Sequence, residues 1–195
     1  MRLVHLGSRD CALPTVTPDN PMGYAIGSGD FGLPTFEALQ AKHETALVVS
    51  QPDRPAGRKR VPTPTPIAAR ATELDLPVFR PEKPNERDAV ERIHAADADA
   101  FVVIAYGHKL SPALLGEHFA INLHASLLPK YRGAAPINWA MINDEPETGV
   151  SVITLAQTMD AGGVLARRVL PINPLETAGE LHDRLAALGP GAVER

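Results

Sequence analysis

Apolar positions along the chain fall into short runs separated by clusters of proline and glycine, and the runs alternate between two kinds of pattern. Thr45 to Ser50 (TALVVS) and Ala100 to Ala105 (AFVVIA) are all but continuous in apolar residues, as strands buried on both faces of a parallel sheet must be. Phe119 to His124 reads as another strand, Pro77 to Phe79 as a short one, and Arg2 to Leu6 as a first strand ending at Gly7. Helical spacing appears between them. A helix begins near Leu33-Pro34 with Phe36, Ala38 and Leu39 inward, and others are expected over Ile67 to Leu74, Glu86 to Ala96 (Val90 and Ile93 inward) and Pro136 to Asn143 (Ile137, Ala140 and Met141 on one face). Ser111-Pro112 opens a short helix by a cap-then-proline signal, and Thr177 to Leu188 closes the chain as an amphipathic helix. Thr148 to Leu155 and Gly163 to Leu170 are alternating or β-branched runs joined by a turn, an antiparallel pair at a sheet edge. Strands alternating with helices predict an α/β fold with a doubly wound, mostly parallel sheet.

One segment breaks the rhythm. Gly7 to Thr15 is echoed 20 residues later by Gly27 to Thr35, with six of nine positions identical. Two copies leave a long connection with no periodicity. The second copy adjoins the helix at Leu33 and is taken as the working turn. Residues 9–28 are then an insertion, or Met22 to Ile26 competes with residues 2–6 for the first strand.

Composition narrows the class. The 195 residues are 44% hydrophobic, enough for a substantial single core, and the net charge of -4 announces no global nucleic-acid or membrane surface. Cys11 is the only cysteine, so there is neither an intramolecular disulfide nor a Cys-rich zinc site. The start is too short an apolar run for a signal peptide and no run approaches a membrane span, so a cytoplasmic protein is expected. Local charge departs from the global balance in Gln51 to Arg60, where Arg54, Arg58, Lys59 and Arg60 oppose the single carboxylate of Asp53. A loop stiffened by proline and glycine at the carboxyl end of a strand is well placed to engage phosphates, although isolated basic clusters are usually solvated surface.

Candidate chemistry lies in Ile121 to Gly133. Residues i and i+2 of a strand share a face, so Asn122 and His124 project side by side before the chain breaks at Pro129 and Gly133. The Tyr106-Gly107 loop follows the most apolar strand, and Asp160 lies in the turn between the last two strands. If those strands are neighbours, Asn122, His124 and Asp160 converge. Such a group suits acyl transfer to an amine: an amide N–H for the developing oxyanion, a protonated imidazole for the oxyanion or leaving nitrogen, and a carboxylate to hold the imidazole charged. With no obvious covalent nucleophile, direct attack by the amine is the economical route. His94, His108, His118 and His124 lack metal-ligand spacing, so no metal is expected. Blander readings stand beside these. The two polar side chains of the strand can cap backbone groups, Asp160 can be a turn residue, and Ser126 can cap a backbone group. Leu127 and Leu128 can be core. Tyr106, Tyr131 and Trp139 read as packing residues, and His108 and His182 as surface or structural.

Asn122 to Pro129, Arg132 to Ile137, Glu147 to Val150 and Met159 to Gly162 together resemble the folate-dependent formyltransferases. Gln51-Pro52-Asp53-Arg54-Pro55-Ala56-Gly57-Arg58 narrows the likeness to their methionyl-tRNA formyltransferase branch. The resemblance runs over nearly the whole chain except residues 9–28. It implies a Rossmann-like catalytic domain over 1–195, acting as a monomer. The implied reaction transfers formyl from 10-formyltetrahydrofolate to the α-amino group of methionine on initiator tRNA. By position it assigns Asn122, His124 and Asp160 to the catalytic triad, and Ser126, Leu127, Leu128 and Pro129 to the tetrahydrofolate-binding loop. The segment from Ile104 through Tyr106 and Gly107 to Leu110 becomes the wall around the pterin, and Arg58, within the basic loop of Arg54, Lys59 and Arg60, the contact to the tRNA acceptor end.

Two departures qualify what the resemblance implies. Residues 9–28 interrupt the first strand-helix turn, and the chain stops at Arg195 where tRNA formyltransferases continue into a β-barrel domain. Alternatives therefore stand: a formyltransferase acting on a sugar-nucleotide amine, a 10-formyltetrahydrofolate hydrolase, or a truncated folate-binding protein without turnover. The basic loop favours tRNA, and the intact Asn122, His124 and Asp160 favour turnover.

Overall fold

A computed structural model describes residues 24–27 and 29–194. The candidate strand at residues 2–6, the first copy of the repeat and all but the end of the 9–28 segment lie outside the described residues. Within them, seven strands form the main sheet. The strands are β1 (Tyr24–Gly27), β2 (Leu47–Val49), β5 (Val78–Phe79), β6 (Ala100–Ile104), β7 (Phe119–His124), β8 (Glu147–Thr154) and β9 (Val164–Pro171), ordered β5-β2-β1-β6-β7-β8-β9. Pairing is parallel from β5 to β7 and antiparallel from β7 through β8 to β9. β3 (Arg54–Ala56) and β4 (Val61–Thr63) form a separate antiparallel ribbon.

The contest for the first strand is answered in part. Tyr24–Gly27 occupies the sheet position between β2 and β6, hydrogen-bonded on both sides. From β1 the chain winds outward to β2 and β5, then returns to β6 and β7 on the other side. The strand order therefore reverses between β1 and β6, the place where doubly wound folds open a ligand crevice.

Helices cover both faces. α1 (Leu33–Gln40) and α2 (Pro66–Glu73) pack Phe36, Ile67 and Ala71 on Val48 of β2. α5 (Pro136–Ile142), α6 (Ala178–Ala186) and α7 (Gly189–Val193) bring Ile137, Leu181, Leu185 and Val193 against Val102, Ile104, Ile121 and Leu123. α3 (Arg87–His94) and α4 (Pro112–Leu115) cover the opposite face with Ile93 and Leu114 against Phe101, Val103 and Ala120. Strand periodicity thus sends Ile121 and Leu123 to one side and Asn122 and His124 to the other.

Local signals explain most helix starts. Thr65 and Ser111 side chains accept from Ala68 and Leu114 N–H ahead of prolines 66 and 112, and Thr177 with Glu180 forms a capping box. Beyond the predicted closing helix, Gly189 to Val193 forms α7, and Gly189 sits so close to α1 that a Cβ there would lie 2.1 Å from Thr35 Oγ1.

At the edge pair the two backbones approach closely. A Cβ on Gly149 of β8 would meet the Arg168 carbonyl oxygen at 2.0 Å and Leu127 Cδ2 at 2.6 Å. Gly149→Ala is therefore expected to lower unfolding stability by about 1 to 3 kcal/mol through overpacking, measured by urea denaturation; an unchanged midpoint would show that β8 and β9 can part at no cost.

Candidate active site

A cleft of about 560 Å³ opens above the β1/β6 reversal and runs along the sheet face toward β8. Its walls are Gly29 to Phe31 after β1, Ala105 to Leu110 after β6, Asn122 to Ala125 at the end of β7, Gly133 to Asn138 before and within α5, and Ile153 to Ala156 with Met159 and Asp160 after β8. The size suits a small-molecule site, and the lining mixes apolar side chains with a few convergent polar groups.

Three of those groups meet at one carboxylate. β7 pairs with β8, Asn122 opposite Ile153 and His124 opposite Ser151, which puts the turn after β8 within reach of both side chains. Asn122 Nδ2 donates to Asp160 Oδ1 at 3.3 Å, the Gly133 backbone N–H donates to Asp160 Oδ2 at 2.8 Å, and His124 Nδ1 lies 3.7 Å from Oδ2. The His124 and Asp160 side chains are 9% and 10% exposed, so water has little access between them. Asp160 adopts a left-handed conformation (φ 51°), which aspartate tolerates in turns. It is thus both a turn residue and a member of the cluster.

The imidazole is oriented from behind. His124 Nε2 lies 2.9 Å from the Tyr131 carbonyl oxygen, and since only an N–H can serve that acceptor, Nε2 carries the ring proton and Nδ1 faces Asp160. The 3.7 Å separation exceeds hydrogen-bond length, so Nδ1 is not committed to the carboxylate. Tyr131 is itself fixed. Its φ is 57°, its hydroxyl donates to Glu145 Oε1 at 2.7 Å, and Lys130 Nζ donates to the same carboxylate at 2.8 Å. These donors, Lys130 first, hold the Glu145 carboxyl below its usual range, while Glu145 raises the Lys130 ammonium.

The structure brings some of the expected donor-binding residues to the cleft and not others. Tyr106, Gly107 and Leu110 line it. Ile104 turns to the other side and packs in the core with Val102 and Ile121. Ser126, Leu127, Leu128 and Pro129 also stand outside the cleft wall. Ser126 is fully buried with its hydroxyl donating to the Lys130 carbonyl, Leu128 N–H donates to Ser151 Oγ, and Arg167 donates to the Leu128 carbonyl. Buried backbone polar groups demand such partners, and their effect here is to brace the loop that carries Tyr131 and Gly133.

Further differences concern the aromatic and basic residues. Tyr106 packs as expected; burial pushes its phenol up to about 12, and its hydroxyl has no hydrogen bond among the described residues. Trp139, expected to pack, is 51% exposed on α5. Residues 51–60, read as a loop, include the first strand of the β3-β4 ribbon, whose turn carries Arg58, Lys59 and Arg60. Those three are exposed and make no ion pair among the described residues, whereas Arg54 pairs with Glu82 at 3.2 Å at the ribbon's base. Asp30, Phe31 and His182 also line the cleft. Asp30 and Phe31 belong to the second copy of the repeat, a signal available in the sequence; His182, 3.3 Å from Asp30, had none.

A model of the formyl transferase family matches residues 25–194. The chain belongs to that family. It is 43% identical over 166 residues to a methionyl-tRNA formyltransferase of Staphylococcus aureus, an alignment that covers 84% of this chain and 53% of that protein. The chain therefore spans about half the length of the relatives it matches. Among solved structures it resembles glycinamide ribonucleotide transformylase 1 from Geobacillus kaustophilus (26% identity, TM-score 0.71, covering 90% and 95% of the two chains). A phosphoribosylglycinamide formyltransferase from Streptococcus pneumoniae shares the fold (20% identity, TM-score 0.73, covering 89% and 97%). The seven-stranded sheet with its antiparallel edge is the formyl transferase fold.

The bracing of Tyr131 by Glu145 has a pH signature. A depressed carboxyl contributes stability that is fully present above its unfolded value of about 4.3 and is lost as pH falls through the lower folded value. The stability difference between wild type and Glu145→Gln is expected to stay constant from neutrality down to that range and to close on further acidification; urea titrations at stepped pH measure it, and a gap that widened in acid would contradict the bracing.

Proposed function

We propose that this chain transfers the formyl group of 10-formyltetrahydrofolate to the α-amino group of methionine on initiator tRNA, the amine attacking directly. The observation that carries the reading is the shared carboxylate: Asn122, His124 and Asp160 converge on one wall of the cleft with hydrogen-bonding capacity left over. Asn122 has one N–H on Asp160 and a second to offer. As the amine nitrogen bonds to the formyl carbon, that N–H stabilises the oxyanion that develops on the carbonyl oxygen. His124 handles a proton at Nδ1, where Asp160 supplies the countercharge for an imidazolium. Collapse of the tetrahedral species breaks the bond between the formyl carbon and the folate nitrogen. The proton lost by the amine ends on that nitrogen, so formyl-methionine and tetrahydrofolate leave without a covalent bond to the protein.

Tyr106, Gly107 and Leu110, which line the cleft, wall the donor in this reading. Ser126 to Pro129 support the site from behind, through the loop that orients His124. Acceptor choice rests on the ribbon. Arg58, Lys59 and Arg60 at its exposed turn give a net acidic protein a local phosphate-binding feature, which suits a nucleic-acid acceptor better than a small one. The 43% identity to a methionyl-tRNA formyltransferase agrees. A monomer working in the cytoplasm fits this reading; among the described residues no helix is long and apolar enough to cross a membrane.

Formylation of charged initiator tRNA, assayed with 10-formyltetrahydrofolate beside an amino-sugar nucleotide acceptor, tests the proposal. Transfer only to the sugar, or release of formate without transfer, would overturn it. His124→Ala is expected to lose on the order of 10²- to 10⁴-fold in kcat, and Asn122→Ala on the order of 10²- to 10³-fold; wild-type turnover in either variant would remove that residue from the mechanism. Arg58→Ala is expected to raise KM for tRNA, leave kcat near wild type and lower the salt slope of binding by about one. Unchanged activity at limiting tRNA would count against the ribbon.

A further inference from the structure

The donor wall after β6 holds a conformation that needs outside support. Ala105 has φ 48° and Gly107 φ 79°, so two left-handed residues flank Tyr106. Such a backbone persists when its surroundings over-determine it. On the strand side, Tyr106 packs with Leu110 and Leu114. On the other side, one side chain reaches the backbone itself: Gln51 Nε2 donates to the Tyr106 carbonyl oxygen at 2.6 Å. It lies so close to the next residue that a Cβ on Gly107 would stand 2.8 Å from that nitrogen.

The origin of that hydrogen bond in the fold gives it meaning. Gln51 follows β2, and β2 does not neighbour β6; β1 lies between them. The amide therefore spans the end of β1, across the crevice where the strand order reverses. Its own base is tied to neighbouring segments. Ser50 Oγ and Thr65 Oγ1, 2.6 Å apart, close the two ends of the ribbon segment, and Arg80 pairs with Asp53 at 3.0 Å two residues beyond Gln51. A fixed base, a short reach and an acceptor in a left-handed turn make Gln51 a strut between the foot of the basic ribbon and the wall of the cleft.

We propose that Gln51 is a positioning residue for the formyl donor, holding the Tyr106-Gly107 backbone in the conformation that the reduced folate binds. The inference rests on the reading of residues 106–110 as the donor wall. Gln51 does not line the cleft; it acts through the Tyr106 carbonyl.

Two substitutions separate this role from general support of the fold. Gln51→Met keeps the length and removes the donor; Gln51→Glu keeps the shape and sets an acceptor against the carbonyl. Calorimetric titration with 10-formyl-5,8-dideazafolate, a stable donor analogue, is expected to show affinity falling about 3- to 10-fold for Gln51→Met and at least as far for Gln51→Glu. The kcat at saturating donor and the KM for tRNA should stay within about twofold of wild type. A wild-type chain that takes up no analogue overturns the functional reading and the strut with it. Uptake by wild type that neither substitution weakens overturns the strut alone. So does an equal loss in donor affinity, kcat and acceptor KM, the mark of a side chain that merely keeps the domain folded.

Discussion

The carboxylate of Asp160 is the meeting point of three separated segments. One oxygen takes an N–H from Asn122 on β7; the other takes the Gly133 backbone N–H and faces the His124 imidazole. In a nearly buried setting an acceptor with so many claims cannot move without leaving donors unsatisfied, and each lost partner in such a place costs more than the bond contributed. The turn after β8, the end of β7 and the loop before α5 are consequently held in one arrangement. The cleft between them has its shape because of it.

Behind this cluster stands a second layer with no chemistry of its own. Ser126, Ser151, Leu128 and Arg167 exchange hydrogen bonds beneath the loop. Glu145 anchors Lys130 and Tyr131 from outside, and the Tyr131 carbonyl decides which imidazole nitrogen carries the proton. The motif that resembles a folate-binding loop braces, in this structure, the segment whose Tyr131 carbonyl meets the His124 imidazole. On the far side of the crevice, Gln51 and the ribbon's base perform the same service for the wall after β6. Both halves of the cleft therefore depend on side chains that do not line it.

Much of the architecture was legible along the chain because its causes are local. Proline after a capping Thr65 or Ser111 starts a helix wherever it occurs, an unbroken run such as Phe101 to Ile104 demands burial on both faces, and residues two apart on a strand must share a side. From these followed the parallel strands, the antiparallel edge and the pairing of Asn122 with His124. The β3-β4 ribbon escaped because proline-rich, exposed strands carry neither a helical nor an alternating apolar pattern.

What the chain's order could not reveal was which partners the side chains would find. That Asp160 would meet Asn122 depends on β8 turning antiparallel beside β7. That Ile104 would face the helices and leave the cleft to Tyr106 depends on the phase of β6 in the sheet. His182 comes to the rim from the last long helix, more than fifty positions from the strand that holds His124. Local spacing settles which residues can act together on one strand or helix face. Contacts across strands are settled by the packing of the whole sheet, which minimises buried unsatisfied groups and empty space at once, and no short stretch of sequence records that balance.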